Sequence, residues 1–215
     1  MTQKARFITF EGGEGAGKST QTRLLADWLR EQGKAVFLTR EPGGSPGAEL
    51  IRDLLLKGDV DRWLPISEAL MLAAARADHI ERAIRPALAR GEWVLCDRFY
   101  DSSIAYQGAG RGVGVDRVKQ IQEIAFGQMA PDLTFILDLP TETGLSRALK
   151  REGAKADMED RFERMDREFH ETLRQAFLAI AQQESNRCLV VDADKSIEPL
   201  QAEIRKHVEL RFLSA

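Results

Sequence analysis

Residues 11–20 read EGGEGAGKST, with an apolar run, Phe7 to Phe10, directly before them and a helical pattern, Lys18 to Gln32, beginning inside them. Gly12, Gly17, Lys18 and Ser19 satisfy G-x-x-x-x-G-K-[ST] in the strand-to-helix setting that the motif requires. A stretch with so little side-chain bulk lets the main chain wrap an anion. Its N–H groups point inward, and the helix start adds roughly half a positive charge. The loop is therefore expected to hold nucleotide phosphates through Gly12, Gly13, Glu14, Gly15, Ala16, Gly17, Lys18, Ser19 and Thr20. Lys18 would bridge the β- and γ-phosphates, and the Ser19 hydroxyl would ligate the accompanying Mg²⁺. ATP or GTP is the ligand class at this point; a glycine turn with an incidental lysine is the bland alternative.

Outward from the loop, short β-rich runs alternate with longer amphipathic ones. The runs are Arg6 to Phe10, Ala35 to Thr39, Trp93 to Cys96, Leu133 to Leu137 and Cys188 to Val191. Between them, Leu24, Leu25, Trp28 and Leu29 precede a stop at Gly33, and Ile121, Ile124 and Ala125 precede Gly127, both at helical spacing. Alternation of this kind predicts an α/β, P-loop NTPase fold: a five-stranded parallel sheet with helices on both faces, residues 1–215 forming one domain. Ser67 to Gly91 reads as one long helix with a kink or break at Pro86, which lacks an N–H. Lys150 to Glu168 is densely charged and reads as a solvated helix face or, near its start, a short lid over about residues 150–161.

Bulk properties narrow the partners. The 215 residues carry 31 basic and 34 acidic side chains, a formal charge of −3, so the chain lacks the global basic field of a non-specific nucleic-acid binder. Any anion site must be local. Cys96 and Cys188 lie in apolar strand-like runs and are expected to be reduced core thiols, which points to the cytoplasm. Met1 to Arg6 is polar and leads straight into a strand, and no apolar run approaches the roughly 20 residues of a membrane span, so neither export nor membrane insertion is expected.

In open α/β sheets ligands sit outside the carboxyl ends of the strands. Those ends are charged here. TREPGG follows the second run with Arg40 and Glu41, and CDRFYDSS follows the third with Asp97, Arg98, Ser102 and Ser103. A guanidinium fork matches phosphate better than an ammonium does, so Arg40 and Arg98 imply an acceptor with a phosphate of its own. Structural ion pairs, such as Arg98 with Asp97, are the alternative. Asp97 fits a Walker-B-like carboxylate on the Mg²⁺ shell, or a helix cap. No guanine-reading N/T-K-x-D stretch occurs late in the chain, which disfavours a GTPase. A small-acceptor kinase fits best; a nucleotide-gated binding switch is the competing class.

With FEGGEGAGKST, TREPGG, AAARADH, DRFYDSSIAYQGAGRG and PDLTFILDL in this order, the chain resembles bacterial thymidylate kinases along nearly its whole length. The resemblance implies transfer of the γ-phosphoryl of ATP to dTMP with Mg²⁺, and a homodimer packed through helices. It implies that Glu14 contacts the 3′-hydroxyl of the acceptor sugar, that Arg40 and Arg98 bind the acceptor phosphate, and that Arg76 reads the base. Ser103, Tyr106 and Gln107 would line the thymine and the face of the deoxyribose, with Ser102 beside them. Arg147 would pack on adenine. Leu72 stands where the family commonly stacks a phenylalanine on thymine, and Ser103 where some relatives have asparagine. Met71 and Leu72 are otherwise expected to face the core, Tyr106 to be a core aromatic, and Arg76 a solvated cation. Because the loop offers one cation, Lys18, a second is expected from the lid: Arg151 or Arg161 closing over the γ-phosphate, as in relatives whose loop lacks an arginine. Were the dTMP reading to fail, a kinase for another nucleotide or small metabolite would be next.

Overall fold

The structure, a computed structural model, describes residues 4–152, 161–162 and 164–214. In chain order its elements begin β1 (Phe7–Glu11), α1 (Lys18–Glu31), β2 (Val36–Arg40), α2 (Pro46–Leu56) and α3 (Pro65–His79). A π-helical turn (Ile80–Ile84), α4 (Arg85–Ala89), β3 (Trp93–Asp97), α5 (Tyr100–Ser103) and a π-helix (Ile104–Gly110) follow. The rest comprises α6 (Val115–Phe126), β4 (Leu133–Asp138), α7 (Thr141–Glu152), α8 (Arg167–Gln183), β5 (Cys188–Asp192) and α9 (Ile197–Val208), closed by a π-turn (Glu209–Leu213).

The expected parallel sheet is present, in the order β2-β3-β1-β4-β5. β1 lies between β3 and β4, so the glycine loop leaves the middle of the sheet. Register aligns Phe10 with Asp97, Arg40 with Asp97 and Glu11 with Ile136, which brings the charged strand ends to one edge. Alternation along β1 explains the layers. Ile8 and Phe10 join Leu25, Leu29, Leu95, Phe135 and Ile204 on the side covered by α1 and α9. Phe7 faces the other side with Val94, Cys96, Ile80 and Phe99. There α8 adds Leu173 and Phe177 beneath the π-helix residues Ile104 and Tyr106. Both cysteines are buried free thiols, as composition suggested.

Pro86 neither breaks the helix nor ends it. The turn before it widens, Arg85 N–H donating to Ile80 O, and α4 resumes with Arg90 N–H on Pro86 O. A five-residue hydrogen-bond step absorbs the donor that proline lacks. Helix starts follow local chemistry: Ser45 accepts from Ala48 N–H with Pro46 at the first helical position, and Asp166 accepts from Phe169 N–H at 2.8 Å. No helix among the described residues is long and apolar enough to cross a membrane.

Candidate active site

The loop after β1 turns on glycines. Gly12, Gly15 and Gly17 have φ of 132°, 69° and 87°, and a Cβ at Gly15 would lie 2.1 Å from Gly144 O of α7. Only a residue without Cβ fits there. Lys18, the first residue of α1, folds back so that Nζ donates to Gly13 O at 2.7 Å and Gly12 O at 3.2 Å. Burial, then the charge of Arg98, pull its ammonium down to about 8, against Glu14, Asp97 and Glu11. The Ser19 hydroxyl donates to Asp97 Oδ2 at the end of β3. These two oxygens are hard donors on adjacent elements, the kind of set that holds Mg²⁺ while leaving its other positions to water and phosphate.

Arg98 is the centre of the second half. It is the one non-glycine residue among those described with positive φ, 68°, a conformation costing about 1–2 kcal/mol for an L-residue. Its N–H donates to Phe10 O, its carbonyl accepts from Cys96 Sγ, and the next N–H, of Phe99, donates to Glu11 at 2.7 Å. The turn aims the guanidinium over the loop. Nη1 donates to Gly12 O at 3.0 Å and Ser102 Oγ at 3.1 Å, while Nη2 donates to Glu14 Oε1 at 2.6 Å and the Tyr106 hydroxyl at 2.9 Å. Burial alone would weaken its proton; Tyr106, Glu14, Asp97 and Glu11 outweigh that and hold it above its ordinary value. Asp97, the partner in the alternative ion-pair reading, is not among the acceptors it bonds.

Tyr106 sits in an aromatic box, edge-on to Phe162, Phe169 and Phe177 at 5.6, 6.0 and 6.4 Å, with Arg98 over its ring at 5.0 Å. Its hydroxyl donates to Glu14 Oε1 at 2.6 Å, and burial pushes its pKa well up. The widened π-helix turns Tyr106 and its neighbour Gln107 inward together. Gln107 donates to Glu68 Oε2 at 3.4 Å, and its Oε1 is buried with no hydrogen-bond partner among the described residues.

Arg76 is not a solvated cation. It is 2% exposed, and its donors go to Glu41 Oε2 (2.5 Å), Ser103 Oγ (3.0 Å) and Phe99 O (3.1 Å). Behind it, Glu41 Oε1 meets His79 Nδ1 at 3.0 Å, and His79 Nε2 meets Thr39 Oγ1 at 2.8 Å. Leu72 lies one turn before Arg76 on α3. Leu72 and Met71 are half-buried, not core residues; the face of α3 that packs inward carries Ala69, Ala73 and Ala75. Small side chains bring the helix close and leave the larger ones at its margin.

The remaining candidates spread around this centre. Arg40, 52% exposed, pairs with Glu49 Oε2 at 3.1 Å on the crevice edge, a contact weak enough to exchange. Arg147 Nη1 donates to Ala193 O at 3.0 Å beside the loop after β5. Arg161 makes its hydrogen bonds to the end of α2, the loop after it and α3, not to the glycine loop. It is buried, donating to Asp59 O (2.8 Å), Val60 O (2.7 Å), Leu55 O (3.4 Å) and Glu68 Oε1 (2.5 Å). Carbonyls left over at the end of α2 and in its following loop draw the fork in, and Glu68 supplies the charge. The Arg151 side chain and residues 153–160 of the expected lid lie outside the described residues.

Four buried acids and bases complete the site, Glu11, Glu41, Glu68 and His79, of which only Glu41 stands out in the sequence, as a strand-end charge. Glu11 accepts from Phe99 N–H and, at 2.5 Å, from the Ser102 hydroxyl; burial, then Asp101, push it up to about 8. A carboxylate ending the apolar FITFE run was the available signal for it.

Comparison with known proteins shows the family of the chain. The family model described as thymidylate kinase matches residues 10–204. The thymidylate kinase of Caulobacter vibrioides is 56% identical over 212 residues, 99% of both chains, and that of Rhodopseudomonas palustris 52% over 98% of this chain and 91% of its own. The crystal structure of thymidylate kinase from Ehrlichia chaffeensis superposes with a TM-score of 0.74 at 34% identity, covering 95% of this chain and 98% of that one. A glycine loop, an arginine turned over it and a buried arginine–carboxylate wall thus occur in a chain that belongs to the thymidylate kinase family.

Proposed function

We propose that the chain transfers the γ-phosphoryl group of ATP to dTMP, giving dTDP and ADP. One observation carries the reading: Lys18 Nζ and Arg98 Nη1 converge on the same carbonyl oxygen, Gly12 O. A cation for the donor's phosphates and one for an acceptor's phosphate therefore stand side by side, and in-line transfer needs that adjacency. Two nucleotides brought end to end repel one another, so the chief task is charge neutralisation by preorganised donors. The acceptor's second phosphate pKa is about 6, so its attacking oxygen is already ionised at neutral pH and no general base is required. Ser19 and Asp97 fit a Mg²⁺ that would neutralise phosphate charge when bound. Asp97 thus serves metal organisation.

Glu14 fixes Arg98 and Tyr106 and would accept from the 3′-hydroxyl of the acceptor sugar; the ring of Tyr106 would wall off the 2′ position. Arg76 and Ser103 face the base, and Gln107 Oε1 is an acceptor that an N–H of the base would satisfy. Leu72 supplies aliphatic contact, and Arg40 completes the phosphate grip. Arg147 packs on adenine. Arg161 is occupied by Glu68, so Arg151 is our choice for the cation that reaches the transferring phosphoryl group. The exposed apolar residues Leu50 and Leu54 on α2, Leu70 on α3 and Ile124 on α6 support a homodimer through these helices. A cytoplasmic enzyme suits the free thiols. Coupled ADP-release assays with dTMP, dUMP, dGMP and shikimate test the assignment: dTMP should give by far the highest kcat/KM, and acceptor-independent ATP turnover alone would defeat it.

A further inference from the structure

Glu11 is fully buried at the end of β1, where an apolar residue would pack without desolvating a carboxyl group. Both of its oxygens are used on one target. Oε1 accepts from Phe99 N–H at 2.7 Å and Oε2 from the Ser102 hydroxyl at 2.5 Å, and Ser102 Oγ in turn accepts from Arg98 Nη1 at 3.1 Å. Glu11 thereby reaches Arg98 by two routes, through the main chain that follows it and through its side-chain partner. The turn is gripped from the other side as well, since Phe99 O accepts from Arg76 Nη2 at 3.1 Å. Between these anchors Arg98 keeps its left-handed backbone, φ 68°. Without them a non-glycine residue would relax toward negative φ and swing its guanidinium away from Gly12 O.

We propose that Glu11 is a positioning residue for the acceptor phosphate: its carboxyl group locks the left-handed turn at Arg98, through Phe99 N–H and Ser102 Oγ, and so fixes where the guanidinium points. The proposal rests on the reading that Arg98 grips that phosphate. Glu11 acts on the turn, through Phe99 N–H and the Ser102 hydroxyl, and makes no hydrogen bond to the guanidinium itself. That distinguishes it from Glu14, which bonds the guanidinium directly.

Calorimetric titration of the full chain with dTMP, thymidine and ADP, each separately, tests this on Glu11→Ala, Glu11→Gln and Ser102→Ala. Thymidine shares the base and sugar of dTMP and lacks the phosphate. Glu11→Ala should weaken dTMP about tenfold or more while thymidine and ADP stay within about twofold. Ser102→Ala, which cuts only one route, should weaken dTMP about threefold. Glu11→Gln keeps an acceptor for Phe99 N–H and a polar atom for Ser102, and should bind dTMP within about threefold of wild type. Should Glu11→Ala not fold, Ser102→Ala and Glu11→Gln carry the comparison. Unchanged dTMP affinity in both Glu11→Ala and Ser102→Ala would overturn the proposal. So would a parallel loss of all three ligands, which is the mark of general packing damage. A wild-type chain that binds ADP and not dTMP would instead overturn the acceptor assignment beneath it.

Discussion

Arg98 has four neutral or anionic acceptors around its fork and a backbone that only surrounding contacts can hold, so its replacement removes both charge and shape. Arg98→Ala should lower kcat/KM for dTMP on the order of 10²- to 10³-fold with ADP affinity little changed, measured by steady-state kinetics and titration. Arg151 and Arg161, the two cations weighed for the transferring phosphoryl group, should separate by phenotype. Arg151→Ala should cost on the order of 10³-fold in kcat with wild-type stability. Arg161→Ala strips Glu68 of its closest cation and should cost about 3–5 kcal/mol in urea denaturation. Glu11 makes a pH prediction. Its folded pKa, about 8, is raised above the unfolded value, so its contribution to stability is complete below about pH 4.5 and is lost as pH rises toward 8. Asp101 and Arg98 are the charged groups facing it. Wild type should therefore lose stability relative to Glu11→Gln by on the order of 1 kcal/mol per pH unit across that window; a pH-independent difference would contradict the burial argument. At this scale the glycine loop and Arg40, Arg76 and Arg98 stood out, because each sits in a local motif, whereas the burial of Arg161 did not. The pairing with carboxylates did not stand out either: Glu41 answers Arg76 from 35 positions away and Glu68 answers Arg161 from 93, contacts that only the assembled sheet creates.

Elements matter here through how closely they approach. Gly144, within α7, meets the glycine loop backbone to backbone: a Cβ on it would lie 2.5 Å from Glu14 O. In an open helix Gly→Ala stabilises by up to about 1 kcal/mol. Here Gly144→Ala should reverse that sign, costing about 1–3 kcal/mol by overpacking, and should weaken both ADP and dTMP by displacing Glu14. Thermal denaturation and titration together check it. The helices themselves were readable from their apolar spacing, and α1 was placed within one residue of its observed end. The three π-helical segments were not, since widening by one residue per turn leaves an apolar pattern that reads as ordinary helix. Pro86 hinted at the first. Nothing local marked the second, which turns Tyr106 and Gln107 inward.

For the whole molecule, strand alternation predicted the parallel sheet that is present, and the rule that ligands gather at strand carboxyl ends points to the edge where Lys18, Asp97 and Arg98 come together. Strand order was out of reach, since it depends on which crossovers the packed helices allow. The same helices leave apolar side chains outside: Ile124 is 87% exposed and Leu50 70%. Sedimentation should find a dimer for the wild type and a monomer for the double variant Leu50→Glu with Ile124→Glu; a wild-type monomer would contradict the proposed pairing. All of this serves one proposed arrangement, in which Lys18 and Arg98, both bonded to Gly12 O, would hold two phosphate ends side by side. Its most direct test is product analysis of the purified chain with MgATP and dTMP. The account predicts dTDP and ADP in equal amounts, with formation nearly abolished in Arg98→Ala; ADP released with free phosphate and no dTDP would contradict it.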